Sequence, residues 1–238
     1  MIALPDKYCE NMKILLKEDG FNSYMESFTE KPRPAFRINT LKTDLQTWKK
    51  ICPFNTETVP WCEKGFITGT EARALLPKHP YYFAGLYYIQ EPSAMLPASV
   101  LPIEKGDRVL DLCAAPGGKA VEIAAKLNGS GLLVANDISV SRAMALAKNL
   151  QMAGASNVMV TAEPPERLTP CFKEYFDKII LDVPCSGEGM FRREPEIIKN
   201  WIDKGPVYYS RIQKDILREA YHMLKPGGSL VYSTCTFS

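Results

Sequence analysis

The chain has 238 residues, 46% of them hydrophobic and 24% charged, and its 29 Lys and Arg against 27 Asp and Glu leave a formal net charge of +2. That length buries a substantial core in one or two domains, and the near balance of charge excludes attachment to nucleic acid by bulk charge alone while leaving room for a local basic surface. Seven cysteines without a Cys-x-x-Cys pair and only two histidines indicate neither a disulfide scaffold nor a metal site, and give a Ser-His-Asp or Cys-His hydrolase little to work with.

The opening Met1-Ile2-Ala3-Leu4-Pro5-Asp6-Lys7 reads as neither a signal peptide nor a lipidation motif. The uncharged run from Pro92 to Ile103 is too short and too rich in proline to cross a membrane. Thiols in such a chain imply a reducing compartment, so the expected location is the cytoplasm. Apolar residues Tyr8, Cys9, Met12, Leu15 and Leu16 predict a helix over Asp6 to Lys17 with Gly20 as its stop, and a second short helix covers Asn22 to Phe28. After the extended turn Lys31-Pro32-Arg33-Pro34, a strand is expected from Ala35 to Leu41, a helix from an Asp44 cap to Lys50, and short strands near Thr58 to Trp61 and Gly65 to Thr68. Residues 1–85 thus read as a small α+β domain. Its aromatics (Phe36, Trp61, Tyr81, Tyr82, Phe83, Tyr87, Tyr88) lie near Arg33, Arg37, Lys42, Lys49 and Lys50, a mixture that suits either an aromatic core or RNA stacking.

Residues 86–238 have a different character. Apolar strands at Arg108 to Cys113, Leu132 to Asp137, Val158 to Ala162, Lys178 to Val183 and Ser229 to Thr234 alternate with helices near Lys119 to Leu127, Ser141 to Ala153, Pro195 to Trp201 and Val207 to Leu224. This is the pattern of a doubly wound α/β parallel sheet, and Lys225-Pro226-Gly227-Gly228 predicts a turn ahead of the last strand. The first strand runs into Cys113-Ala114-Ala115-Pro116-Gly117-Gly118-Lys119, small residues that let a ligand approach the backbone at a helix start. Asp137, ending the next strand, is placed to accept hydrogen bonds from a ribose. The loop has neither G-x-G-x-x-G nor G-x-x-x-x-G-K-[ST], which argues against a dinucleotide or a phosphate cradle and for S-adenosylmethionine. Asp182-Val183-Pro184-Cys185-Ser186-Gly187-Glu188-Gly189 puts a carboxylate and a thiol at the carboxyl end of the fourth strand, and Cys235 lies at the end of the fifth. With strand order 3-2-1-4-5, Asp182, Cys185 and Cys235 converge beside the adenosine site.

Five stretches resemble the NOL1/NOP2/Sun family of RNA cytosine-C5 methyltransferases: Arg37 to Lys42, Gln90 to Met95, Asp111 to Lys119, Asp182 to Gly189 and Ser233 to Ser238. Glu188-Gly189-Met190-Phe191-Arg192 looks like the bacterial subgroup that modifies small-subunit ribosomal RNA. The resemblance implies a Rossmann-like class I methyltransferase sheet and an RNA substrate. It implies that Cys113 to Lys119 line the methionine end of the cofactor, that Asp137 holds the ribose, that Arg142 matches the family's D-x-S-x-x-R arginine, and that Glu163 stands where the family has an acid near the adenine. It assigns covalent attack on cytosine carbon 6 to Cys235, the base edge and a cofactor contact to Asp182, and a part in product release to Cys185. The residues alone do not distinguish the two thiols, because Pro184-Cys185 is like the Pro-Cys of DNA cytosine methyltransferases. Lys119 and Arg192 are candidates to tune a thiol.

The family's catalytic domain ordinarily continues past S-T-C-T, so a chain stopping at Ser238 is expected to be a fragment that lacks the last strands and leaves an exposed edge. Two other readings are a catalytically silent RNA-binding or assembly module on the same fold, and a nicotinamide dehydrogenase.

Overall fold

A computed structural model describes residues 3–237; Met1 and Ile2 of the leader reading, and Ser238 at the end of the S-T-C-T-F-S stretch, lie outside the described residues. The chain divides into two compact units that do not follow the 85/86 boundary. The smaller comprises residues 1–32, 184–214 and 234–238, and the larger comprises 33–183 and 215–233.

In the smaller unit, α1 (Asp6–Ser27) is one helical element broken by a non-helical Lys17 at φ 58°, so the break falls at Lys17 and Gly20 does not end the helix. Its Tyr8, Met12 and Phe21 join Phe191, Ile198 and Trp201 in an aromatic core, with Tyr8 edge-on to both Phe191 and Trp201.

The larger unit opens with β1 (Ala35–Ile38) and α2 (Leu45–Ile51). The Asp44 carboxylate caps α2 by accepting from the Thr47 N–H at 2.8 Å and the Thr47 hydroxyl at 2.6 Å. There follow β2 (Thr56–Val59), β3 (Cys62–Thr68), a single turn α3 (Pro80–Phe83), β4 (Tyr87–Ile89) and α4 (Pro92–Val100). The antiparallel sheet β2-β3-β1-β4 packs Phe36, Phe66 and Tyr87 on Trp48. Of the two roles that the aromatics suited, Phe36 and Tyr87 take the core role; Trp61 and Phe83 remain exposed.

The second layer system is β5 (Arg108–Asp111), α5 (Gly118–Leu127), β6 (Leu132–Asn136), α6 (Val140–Ala153), β7 (Val158–Thr161), α7 (Pro165–Leu168) and β8 (Phe176–Asp182). The smaller unit's α8 (Ile197–Asp203), then α9 (Gly205–Met223) and β9 (Leu224–Ser233), complete the chain's elements. Five parallel strands in the order β7-β6-β5-β8-β9 reproduce the expected 3-2-1-4-5 topology of a doubly wound α/β fold. Ala120, Val121, Ile123, Ala124 and Leu127 bury one face of α5 against Val109, Leu133 and Ile180, the helical spacing meeting the period-2 alternation of the strands. The turn expected at 225–228 lies inside β9: Phe176 pairs with Leu224 and Lys178 with Ser229, so the four residues between bulge from the ladder.

Buried polar side chains bind the two sheets of this unit together. The Asn39 amide donates to the carbonyls of Gly85 at 2.9 Å and Ala153 at 2.8 Å, while its oxygen accepts from the Leu41 N–H. Asn39→Ala is expected to lower unfolding free energy by about 2 to 3 kcal/mol, since it strands two carbonyls away from water. Urea unfolding with an unchanged m-value checks this, and an unmoved midpoint would mean these bonds contribute nothing.

Candidate active site

Two clusters carry the chemistry, one in each unit. In the larger unit, β5 stops at Asp111 and the chain turns along the carboxyl edge of the sheet, the Ala114 N–H donating to the Asn136 carbonyl at 2.8 Å. Gly117 lies at φ 116°, where an L side chain is strained, and a Cβ there would stand 3.1 Å from Leu146. α6 steadies the loop from outside, through Arg142 to the Ala115 carbonyl at 3.0 Å and Asn149 to the Pro116 carbonyl at 2.7 Å. The helix start is fixed from inside by the buried Arg37. Its guanidinium donates to the Gly118 carbonyl at 2.8 Å, pairs with Glu122 at 3.1 Å and hydrogen-bonds Gln90.

Three carboxyls face this loop. Asp111 is fully buried with neither oxygen in a well-formed hydrogen bond, and burial pushes its pKa up to about 7 against a smaller opposing pull from Lys119. Asp137 is 2% exposed and accepts from the Ser139 N–H at 3.1 Å while pairing with Arg142 at 3.2 Å. Asp182 pairs with Lys119 at 2.6 Å and accepts from the Ser233 hydroxyl at 2.8 Å, which orients both of its oxygens. Burial, followed by the fields of Asp111, Asp137 and Asp182, pushes the Cys113 thiol up to about 12, so it stays protonated at neutral pH and is not a nucleophile. Lys119 engages a carboxylate, and Arg192 donates to the Ser27 carbonyl at 2.8 Å. Glu163 pairs with Arg167 at 3.3 Å one helical turn on.

Sequence reasoning missed Asn136. Its buried amide donates to the Leu112 and Glu163 carbonyls at 3.1 and 2.9 Å, and its oxygen accepts from the Thr161 hydroxyl and the Glu163 N–H at 2.8 and 3.0 Å. One side chain thus ties the ends of β5, β6 and β7. The available signal was an Asn closing an apolar strand, where an unpaired amide would be costly.

In the smaller unit, the Sγ atoms of Cys185 and Cys235 lie 3.2 Å apart. The Gly189 N–H donates to the Cys235 carbonyl at 2.7 Å, and the Ser186 and Thr236 hydroxyls meet at 2.7 Å. A cavity of about 260 Å³ opens beside that hydroxyl pair, lined also by Tyr209, Ser210 and Gln213. Among the described residues no cluster of His, Cys, Asp and Glu suits a metal ion, and no helix is long and apolar enough to cross a membrane.

Residues 98–238 match the family model described as 16S rRNA methyltransferase RsmB/F, and residues 4–92 match that of the N-terminal domain of 16S rRNA methyltransferase RsmF. The chain is 36% identical over 245 residues to ribosomal RNA small subunit methyltransferase F of Escherichia coli O127:H6, covering 100% of this chain and 51% of that protein. Its counterpart in Vibrio atlanticus is 37% identical, covering 100% and 52%. The chain therefore spans about half the length of the curated relatives it matches. A solved methyltransferase homolog protein from Pyrococcus horikoshii superposes with a TM-score of 0.76 at 30% identity, covering 98% of this chain and 79% of that one. NSun6 of the same organism, solved with SFG, shares the fold at TM-score 0.84 and 22% identity, covering 100% and 84%.

The buried Asp111 makes stability depend on pH with a defined sign. Its folded pKa is raised above the ordinary carboxylate value, so between about pH 4 and pH 7 the folded state holds a proton that the unfolded state has lost, and stability falls as pH rises. Relative to Asp111→Asn, the wild type is expected to lose a few kcal/mol over this window and to level off above about pH 8. Denaturant unfolding of both proteins at pH 5, 7 and 8.5 checks this, and a constant gap between them would refute the assignment.

Proposed function

The chain belongs to the RsmB/F family of 16S rRNA methyltransferases, within the NOL1/NOP2/Sun type, and on that premise we propose that it transfers a methyl group to carbon 5 of a cytosine in small-subunit ribosomal RNA through a covalent cysteine adduct. The observation that carries this reading is the pair of thiols 3.2 Å apart, since one nucleophile alone does not require a second sulfur at its side.

The family is S-adenosylmethionine-dependent. The larger unit's residues fit that molecule: Asp111, Asp137 and Asp182 bring acidic acceptors to a small-residue loop, suited to a sulfonium and an ammonium, and the loop's sequence lacks the phosphate-binding pattern. Cys113 to Lys119 would hold the methionine end and Asp137 the ribose hydroxyls, with Arg142 keeping that carboxylate in place. Arg142 already engages both Asp137 and the loop, so in this reading it orients the site and does not itself bind the ribose. Glu163, half committed to Arg167, would border the adenine through its backbone, which Asn136 holds. The sulfonium supplies an electrophilic methyl group.

Cytosine carbon 5 is too poor a nucleophile to take that methyl unaided. In the proposed sequence the Cys235 thiolate adds to carbon 6, and the electron pair displaced from the 5,6 double bond makes carbon 5 an enamine carbon. In this sequence a proton carried by the Asp182 carboxyl, which Lys119 and Ser233 orient, is donated to N3 as negative charge develops there and returns to the carboxyl when the adduct breaks down. Once carbon 5 carries the methyl, its proton passes to a base, the electron pair of that C–H bond re-forms the 5,6 double bond, and the carbon–sulfur bond breaks to release the Cys235 thiolate, with Cys185 acting in that release. The target base must be single-stranded or flipped out of its stack.

Incubation of Cys235→Ala and Cys185→Ala proteins with cytosine RNA and S-adenosylmethionine tests the division of roles. Cys235→Ala is expected to form no covalent adduct and Cys185→Ala to accumulate one on a denaturing gel. The opposite pattern would transfer the attack to Cys185, and a wild type that binds cofactor without labelling RNA would favour a silent RNA-binding module. Asp137→Ala is expected to weaken S-adenosylmethionine binding by about 10- to 100-fold, the worth of one or two charge-assisted hydrogen bonds. Calorimetric titration without RNA measures it, and an unchanged affinity would remove Asp137 from the ribose.

A further inference from the structure

Glu188 is a carboxylate buried to 2% exposure, and it accepts hydrogen bonds from Ser186, Trp201 and Phe237, in separate parts of the smaller unit. Its Oε1 accepts from the Trp201 indole N–H at 2.9 Å and from the Ser186 hydroxyl at 3.3 Å. Its Oε2 accepts from the backbone N–H of Phe237 at 2.7 Å. The next residue continues the link: the Gly189 N–H donates to the Cys235 carbonyl at 2.7 Å, and a Cβ at position 189 would come within 3.1 Å of that oxygen. The peptide groups on both sides of residue 236 are therefore anchored to residues 188 and 189. Ser186, next in sequence to Cys185, is held by the same carboxylate and by the Thr236 hydroxyl at 2.7 Å.

We infer that Glu188 is a positioning residue that locks the segment carrying Cys235 against the loop carrying Cys185, and so sets the spacing of the two thiols. The inference rests on the reading of these cysteines as the thiols of the reaction. A carboxylate suits the place because Trp201, Ser186 and Phe237 each bring a donor to it. A glutamine of the same shape offers one acceptor oxygen and turns its NH₂ toward an N–H or O–H donor. Whichever way that amide faces, either the Phe237 N–H or the Trp201 indole N–H is left opposite a donor, and the buried donor so stranded destabilises the arrangement.

Glu188→Gln tests this in two independent assays. In the first, RNA-free protein is exposed to oxidised glutathione, and Cys185–Cys235 disulfide formation is followed by peptide mapping. Two protein thiols lose two protons and two electrons, one protein S–S bond forms, and one glutathione disulfide is reduced to two thiols. Wild type is expected to cross-link readily and Glu188→Gln at least about 10-fold more slowly, well below its melting temperature, with S-adenosylmethionine affinity within about twofold of wild type. In the second, adduct formation on RNA containing 5-fluorocytidine is expected to slow by a similar factor at saturating substrate, leaving KM for the cofactor unchanged. A folded Glu188→Gln protein that cross-links at the wild-type rate would overturn the inference. If that variant does not fold, Glu188→Asp, one methylene too short to reach its donors on both sides, serves instead, and cross-linking at the wild-type rate would overturn the inference equally. Wild-type protein that cross-links yet forms no RNA adduct would refute the methyl-transfer reading and leave the positioning role standing.

Discussion

Burial of an acid at the end of the central strand sets the electrostatics on which the larger unit's site depends. β5 lies between β6 and β8, so Asp111 ends its strand with a neighbour on either side and no water. An ionised carboxylate in such a place is costly to hold, and the result is a group that titrates near neutrality. The same desolvation acts on Cys113 two residues on, reinforced by the acids around it, and keeps that thiol protonated. One environment therefore keeps a cysteine of the glycine loop protonated and gathers acids, with the field of those that are ionised, where a cationic ligand is proposed to sit. Lys119 limits that field through its ion pair with Asp182, which otherwise would add a second uncompensated carboxylate beside Asp111.

The loop holds its shape because buried polar side chains seize its backbone from several directions. Arg37 reaches the Gly118 carbonyl, Gln90 bonds Arg37, and Glu122 supplies the charge that a buried guanidinium needs. This gives the two early motifs a physical role. Arg37 to Lys42 and Gln90 to Met95 lie far from the glycine loop in sequence, yet they contribute side chains that fix its helix start and, through Asn39, the end of α6. Their chemistry belongs to orientation of the site, since Arg37 and Asn39 are buried to 2% exposure and out of reach of a macromolecule.

Much of this was legible in the sequence, and the exceptions share a cause. The five parallel strands were legible as apolar runs alternating with amphipathic helices, because a buried parallel sheet leaves a strong signal at both periods, and their order came with the doubly wound fold class. The Asp44 cap was equally plain, since a carboxylate before a helical run has one favoured use. α4 was invisible because Pro92 and Pro97 read as breakers, although Pro92 occupies the first turn where no N–H is needed and the Glu91 carboxylate caps the helix. Gly20 looked like a stop and Lys17 did not, yet the break falls at Lys17; single-residue propensity does not encode where packing of Tyr8 and Phe21 on one core turns the chain. Lys225-Pro226-Gly227-Gly228 has the composition of a turn and is a bulge in the ladder, a distinction made by pairing with β8. Cys185, Cys235, Asp137 and Asp182 were singled out by residue type and strand position, whereas Asp111 was read only as the end of a strand. Asn136 and Glu188 were not singled out, because a polar residue acting on distant backbone has no local signature.

The two clusters differ in how their chemistry is held. In the larger unit, the functional side chains are themselves gripped: Lys119 and Ser233 aim Asp182, and Arg142 and the backbone N–H of Ser139 aim Asp137. In the smaller unit, the thiol-bearing segments are fixed through their backbones, at the Cys235 carbonyl and the Phe237 N–H. That difference suits the proposed chemistry. A carboxylate that binds a base edge or a ribose gains from rigid orientation of its oxygens, whereas a thiol that must form and then break a carbon–sulfur bond gains from an anchor on its backbone. Backbone anchoring supplies this, and it places the burden of precision on residues such as Glu188, which is inferred to act through the backbone that carries Cys235.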